Sequence, residues 1–112
     1  PYWPRVWGAR ALLYVWEPAA ASAVVQALAD EHWRVREMAA KVCLRRELGS
    51  ALEPLEALAS DPVPRVRVAA ARALGALGEA EHAAVLRTMR DDGPHIAAAL
   101  ELLSRRLDRD LS

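Results

Sequence analysis

Cysteine occurs once in 112 residues, at Cys43, so an internal disulfide is excluded and a reducing cytoplasm is the expected compartment. Phenylalanine is absent, and Lys41 is the one lysine, which leaves arginine to supply almost all of the positive charge. No apolar run reaches the roughly 18 residues that suggest a membrane span, and no secretory leader pattern is present. An excess of charge is lacking too, because 15 basic residues balance 15 acidic ones. Whole-chain charge therefore favours neither nucleic acid nor membrane, and any electrostatic role must come from where the charges sit.

What the chain does have is self-similarity. Asp61 to Gly78 reads DPVPRVRVAAARALGALG, and Asp30 to Arg46, DEHWRVREMAAKVCLRR, repeats it 31 positions upstream. The slide places Arg34-Val35-Arg36 on Arg65-Val66-Arg67, and Ala39-Ala40-Lys41-Val42-Cys43 on Ala70-Ala71-Arg72-Ala73-Leu74. A further step of 31 lands on Gly8-Ala9-Arg10-Ala11-Leu12. A fixed period of this size marks a repeat array. The length suits a single domain, residues 1–112, and the absence of an initiator methionine points to a fragment or terminal part of a longer array.

Helical periodicity runs through every unit, and no segment reads as a strand. The first long helix is expected from Pro4 to about Trp16, with Trp7, Gly8, Ala11, Leu12 and Val15 facing the core by register. A short helix follows from Pro18, carrying Ala21, Val24, Val25 and Leu28. The second long helix is expected from Trp33 to Glu47, burying Val35, Met38, Ala39, Val42 and Cys43, with Gly49 as its stop. Ser50 and Glu53 have capping-box spacing, yet Pro54 argues for a start nearer itself; Leu52, Leu55 and Leu58 form the stripe. The third long helix runs from Pro64 to Gly78 on Val66, Ala70, Ala73, Leu74 and Leu77. Ala80 to Arg90 follows, burying Val85, Leu86 and Met89. The last helix opens after Asp91-Asp92-Gly93-Pro94 and keeps its period through Ile96, Leu100, Leu103 and Leu107. Ala97 stands where the repeat has Arg, a departure that suits a closing unit. Asp108 to Ser112 is expected to fray.

The Asp-x4-Val-Arg turns, Asp30…Val35-Arg36 and Asp61…Val66-Arg67, and the string Ala-Ala-Arg-Ala-Leu-Gly at Ala70 to Gly75 resemble HEAT repeats. The period near 31 is similar to the short HEAT-like repeats of phycobilisome lyase relatives. The resemblance covers nearly the whole chain and implies an all-α, right-handed solenoid of antiparallel helix pairs, seven helices in total, with the second helix of each pair lining the concave side. It also implies that Arg36 and Arg67 are structural, bonding turn to turn. Bilin handling by the lyase relatives is not carried over, because no catalytic group here matches it.

The chemical inventory is thin. His32, His82 and His95 lack metal-ligand spacing and read as surface histidines, and Cys43 aligns with Leu74 and Leu12 as a small core residue. Neither a Gly-rich phosphate loop nor a Gly-x-Ser-x-Gly elbow is present. No enzymatic activity, cofactor or metal is expected.

Charge placement is more informative. Arg5, Arg10, Arg34, Arg36, Lys41, Arg45, Arg46, Arg65, Arg67 and Arg72 fall on the long helices and their starts, against Glu37 and Glu47; the short helices and turns are mainly acidic. With the concave side that the resemblance implies, the inner face is expected to be basic. Arg10, Lys41 and Arg72 lie one repeat apart, Arg34 and Arg65 precede Lys41 and Arg72 by two helical turns on the same side, and Trp3 takes the equivalent place in the first copy. Arg45 and Tyr14 extend the stripe. These residues suit a non-enzymatic interaction scaffold for an acidic peptide or protein, the alternatives being a nucleic-acid phosphate backbone and a simple solvated face. Trp3, Trp7, Trp16 and Trp33 with Tyr2 and Tyr14 cluster in the first third. Trp7 is a core candidate, whereas Trp3, Tyr14 and Trp16 suit an upstream repeat, self-association or a partner.

Overall fold

The computed structural model describes residues 1–89 and 92–111, and these contain α-helices, short 3-10 turns and no strand. Arg90, the Asp91 half of the last predicted turn, and Ser112 lie outside the described residues. Four longer helices, α1 (Trp3–Ala11), α3 (Trp33–Arg45), α5 (Pro64–Leu77) and α7 (Pro94–Leu107), alternate with three shorter ones, α2 (Ala21–Ala27), α4 (Leu52–Ala57) and α6 (His82–Thr88). The long helices touch in chain order, α1 on α3, α3 on α5 and α5 on α7, while α2, α4 and α6 each pack on the long helix that follows. The molecule measures 41 × 28 × 19 Å. Its shortest dimension is about two helix diameters.

Local chemistry explains most of the boundaries. Pro64 and Pro94 sit at the first position of their helices, where a missing N–H costs nothing. Asp30 and Asp61 each accept a backbone N–H two residues on, from His32 and Val63 at 2.9 Å, which fixes the turn before α3 and α5. His32 caps α3 by accepting the Arg34 N–H on Nδ1. Pro54 lies in the first turn of α4, not its interior, so it removes a bond that the helix could not have made. The 3-10 turn Gly49–Ala51 takes the place of a side-chain capping box there.

The core runs from Val24 and Leu28 through Val42, Cys43, Leu55 and Leu74 to Leu86, Ile96 and Leu103. Helix α5 is central and buries a run of small residues, Ala69, Ala70, Ala71, Ala73 and Gly75, which lets its neighbours approach closely.

The first repeat departs from its expected orientation. Helix α1 ends at Ala11, and Trp7, Gly8, Ala11 and Val15 are exposed; Val6 is its buried residue, while Leu12, Leu13 and Trp16 are half-buried against the core. The register itself holds, since Ala39, Val42 and Cys43 are fully buried at the equivalent sites. Those sites lie on a helix that α2 packs against, whereas the described packing of α1 is on α3. Two helix ends also differ. Gly49 does not stop α3; Glu47 takes the left-handed conformation (φ 55°), with Leu48 N–H bonded to Cys43 O and Glu47 N–H to Leu44 O. That is the bond pattern in which glycine normally occupies the Glu47 site. Glu47→Gly is expected to stabilise the protein by about 1 kcal/mol, read as a raised urea midpoint, because a non-glycine residue is strained there. At the other end the described tail residues are tied down. Arg87 donates to Leu111 O at 2.7 Å, and Leu111 N–H donates to Ser104 Oγ at 3.2 Å.

Candidate functional site

The arginines of the long helices divide into two sets with different work. The first set stitches turns together. Arg36 donates to both carboxylate oxygens of Asp61 at 2.7 and 3.2 Å and to the carbonyls of Asp30 and Glu31. One repeat on, Arg67 makes a bidentate bond to Asp92 at 2.9 Å and donates to Asp61 O; one repeat back, Arg5 holds Asp30. Arg46 is tied elsewhere, to Leu12 O and the face of Trp16. These four cations are therefore structural, which for Arg36 and Arg67 is the role expected from the sequence.

Bonding to Arg5 and Arg67 holds the Asp30 and Asp92 carboxyls below the usual carboxylate range, and the same contacts raise the two arginines. A carboxyl depressed by folding stabilises fully above its unfolded value and loses that contribution as pH falls through its folded value. Melting temperature is expected to decline below about pH 4, and Asp30→Asn with Asp92→Asn should remove part of that acid-induced decline.

The second set surrounds three adjoining cavities along the long helices. The first, of about 230 Å³, lies between α1 and α3 with walls of Trp3, Val6, Trp7 and Met38 and a rim of Arg10 and Arg34. The second, of about 420 Å³, lies between α3 and α5, floored by Leu44, Val68 and Ala69. The third, of about 360 Å³, runs between α5 and α7 over Ala76, Ala98 and Leu102. Glu37, Lys41 and Arg65 line both of the first two; Leu44, Arg72 and His95 line both of the last two. Shared walls make the three one continuous groove.

Within the groove Arg34 is held by its surroundings, with its guanidinium 5.1 Å from the ring centre of Trp3 and 4.8 Å from that of Trp33, and Nη1 donating to Tyr2 Oη at 2.7 Å. Arg65 lies 5.3 Å from the Trp33 ring centre and bonds Glu37 at 3.0 Å. Lys41 Nζ stands 3.7 Å from the same Glu37 oxygen. Arg10 lies over Trp7 at 5.2 Å, and Arg72 meets His95 Nδ1 at 3.2 Å.

Of the residues singled out from the sequence, Trp3, Arg10, Arg34, Lys41, Arg65 and Arg72 come together along this groove. Arg45 and Tyr14 do not. Arg45 is an exposed residue at the end of α3, and Tyr14, 73 % exposed, lies in the turn beyond the end of α1, so it cannot extend a helical stripe. Sequence reasoning missed the central role of Glu37, which is buried and neutralises part of Arg65 and Lys41. The available signal was its register, since the equivalent positions in the other copies are Val6 and Val68.

Cys43 does not have the setting of a nucleophile. Cys43 is fully buried, and burial pushes its thiol up to about 12, which keeps it protonated. His82 is not a surface histidine: it is buried, accepts the Glu79 N–H on Nδ1 at 2.7 Å, and places Nε2 3.1 Å from Glu56. The first bond holds the turn before α6, and the second contact ties that helix start to α4. Among the described residues no group of His, Cys, Asp and Glu is placed to hold a metal ion, and no helix is long and apolar enough to cross a membrane.

A search of curated proteins finds no match to this chain. The family model described as HEAT repeats matches residues 21–104, three quarters of the length. Units of that family generally mediate protein–protein scaffolding and are typically non-enzymatic. The alternation of long and short helices and the turn-to-turn Asp–Arg ties agree with that match, and the chain belongs to the HEAT repeat family.

Proposed function

We propose that this chain is a non-enzymatic scaffold that binds an acidic peptide or acidic protein surface along the face of α1, α3, α5 and α7. In this reading the helix pairs stack antiparallel as a right-handed solenoid of the short phycobilisome-lyase type, and the groove is its concave side. Arg10, Arg34, Lys41, Arg65 and Arg72 contact the partner, Trp3 flanks it, and Arg45 and Tyr14 lie outside the groove. The observation that carries the reading is the continuity of the three cavities, whose described lining residues include five cations and one carboxylate, Glu37. Forked guanidinium donors held by aromatic rings suit carboxylates well.

A nucleic-acid backbone would meet the same arginines. Apolar cavity floors argue against it, since phosphate contacts have no use for them, whereas the Glu37 carboxylate opposes either anionic partner alike. The test is a triple charge reversal, Arg10→Glu, Lys41→Glu and Arg72→Glu, at exposed positions that hold no turn. Affinity for a fluorescein-labelled acidic peptide is expected to fall at least a hundredfold, or about 3 kcal/mol, with helical circular dichroism retained. Unchanged affinity would overturn the proposal.

A further inference from the structure

We infer that the acidic partner lies across the long helices in polyproline II conformation and seats every third side chain in successive cavities. The inference rests on the proposed function above and deepens it by naming the partner's chemistry: an acidic, proline-bearing peptide with apolar side chains at positions i, i+3 and i+6.

Spacing is the first support. Packed helices stand roughly 8–10 Å apart, and the cavities fall in the successive clefts α1–α3, α3–α5 and α5–α7. A polyproline II chain rises about 3.1 Å per residue with three residues per turn, so one edge repeats about every 9 Å. A β-strand repeats one face at about 6.6 Å. Against that helix spacing it would fall out of step by roughly 1–3 Å at each helix, whereas the polyproline II edge stays within about 1 Å.

Lining chemistry is the second. Each cavity joins an apolar wall to a cationic rim, Trp7 and Met38 with Arg10, Val68 and Leu44 with Lys41, Ala98 and Leu102 with Arg72. An apolar residue and an acidic one in every three satisfies both. Trp3 and Trp7, 46 % and 57 % exposed, offer ring faces at one end, and aromatic-lined grooves are what proline-rich segments dock on. Because Arg34 and Arg65 are already fixed by Tyr2, Trp3, Trp33 and Glu37, ordering them costs little on binding.

Fluorescence anisotropy at one ionic strength tests this with labelled nonapeptides of identical composition. One repeats Leu-Pro-Glu three times, one places its leucines at positions 1, 3 and 5, and one groups all three leucines at its end; a single-stranded oligothymidylate of similar length is the fourth probe. The three-residue spacing is expected to bind at least tenfold more tightly than either rearrangement. Ala98→Glu, at an exposed site in the third cavity, should remove most of that advantage. Equal binding of the three peptides would overturn the conformation while leaving the acidic-partner reading intact. Binding of no peptide, or tighter binding of the oligothymidylate than of any peptide, would overturn both.

Discussion

Replacing Asp61 by alanine is expected to cost about 3 kcal/mol of stability, the scale for removing one partner of a buried ion pair. Its side chain is 5 % exposed and that of Arg36 is 15 % exposed, so water cannot take over the bonds that are lost. Three donors converge on that carboxylate: Arg36 Nε, Arg36 Nη2 and the Val63 N–H. Arg36 would remain bonded to the Asp30 and Glu31 carbonyls with its charge uncompensated. The same substitution at Asp30 or Asp92 should cost less, because the Arg5 and Arg67 pairs are more open to solvent. Urea unfolding of the three variants checks the order. A loss at Asp61 no larger than at Asp30 would show that the middle rung of the ladder carries no special weight.

The positions of this ladder were legible in the sequence because they are periodic, while its bonding was implied only by the HEAT resemblance, for Arg36 and Arg67 and not for Arg5. Asp30, Asp61 and Asp92 stand 31 residues apart, as do Arg5, Arg36 and Arg67, and each arginine reaches the aspartate 25 positions on. The cationic row was legible for the same reason: a constant interval along a stack places side chains side by side. What the period could not reveal was anything set by a neighbour. Trp7 and Val15 have core spacing but lie open, since burial depends on a covering helix that the register does not supply. Glu37 looks like one more surface acid until Arg65, 28 residues away, is folded against it. His82 is buried because it packs on Gly78, which leaves room for its ring at a turn. A lone histidine in a sequence carries no mark of that environment.

Glycine gives opposite results at two helical positions, and the contrast tests how closely α5 and α7 approach. Gly8→Ala on α1 meets nothing within 4 Å and should stabilise by about 0.5–1 kcal/mol, the usual helix-propensity gain. At Gly75 the added methyl would lie 2.7 Å from the carbonyl oxygen of Ala99 and 2.9 Å from its Cα. Both are backbone atoms of α7 and cannot rotate away. Relief requires α7 to move out, against the fully buried Ile96 and Leu103 and against Arg106, which donates to the Gly75 and Gly78 carbonyls at 3.1 Å. Overpacking of this kind costs about 1–3 kcal/mol, which outweighs the propensity gain, so Gly75→Ala should destabilise by about 1 kcal/mol net and Gly75→Val by more. A shifted α7 would also spread the cleft that holds the third cavity, so the Gly75 variants should weaken peptide binding where Gly8→Ala does not. If Gly75→Ala proved as stabilising as Gly8→Ala, α5 and α7 would not be in contact there, and the third cavity would lose the wall that defines it.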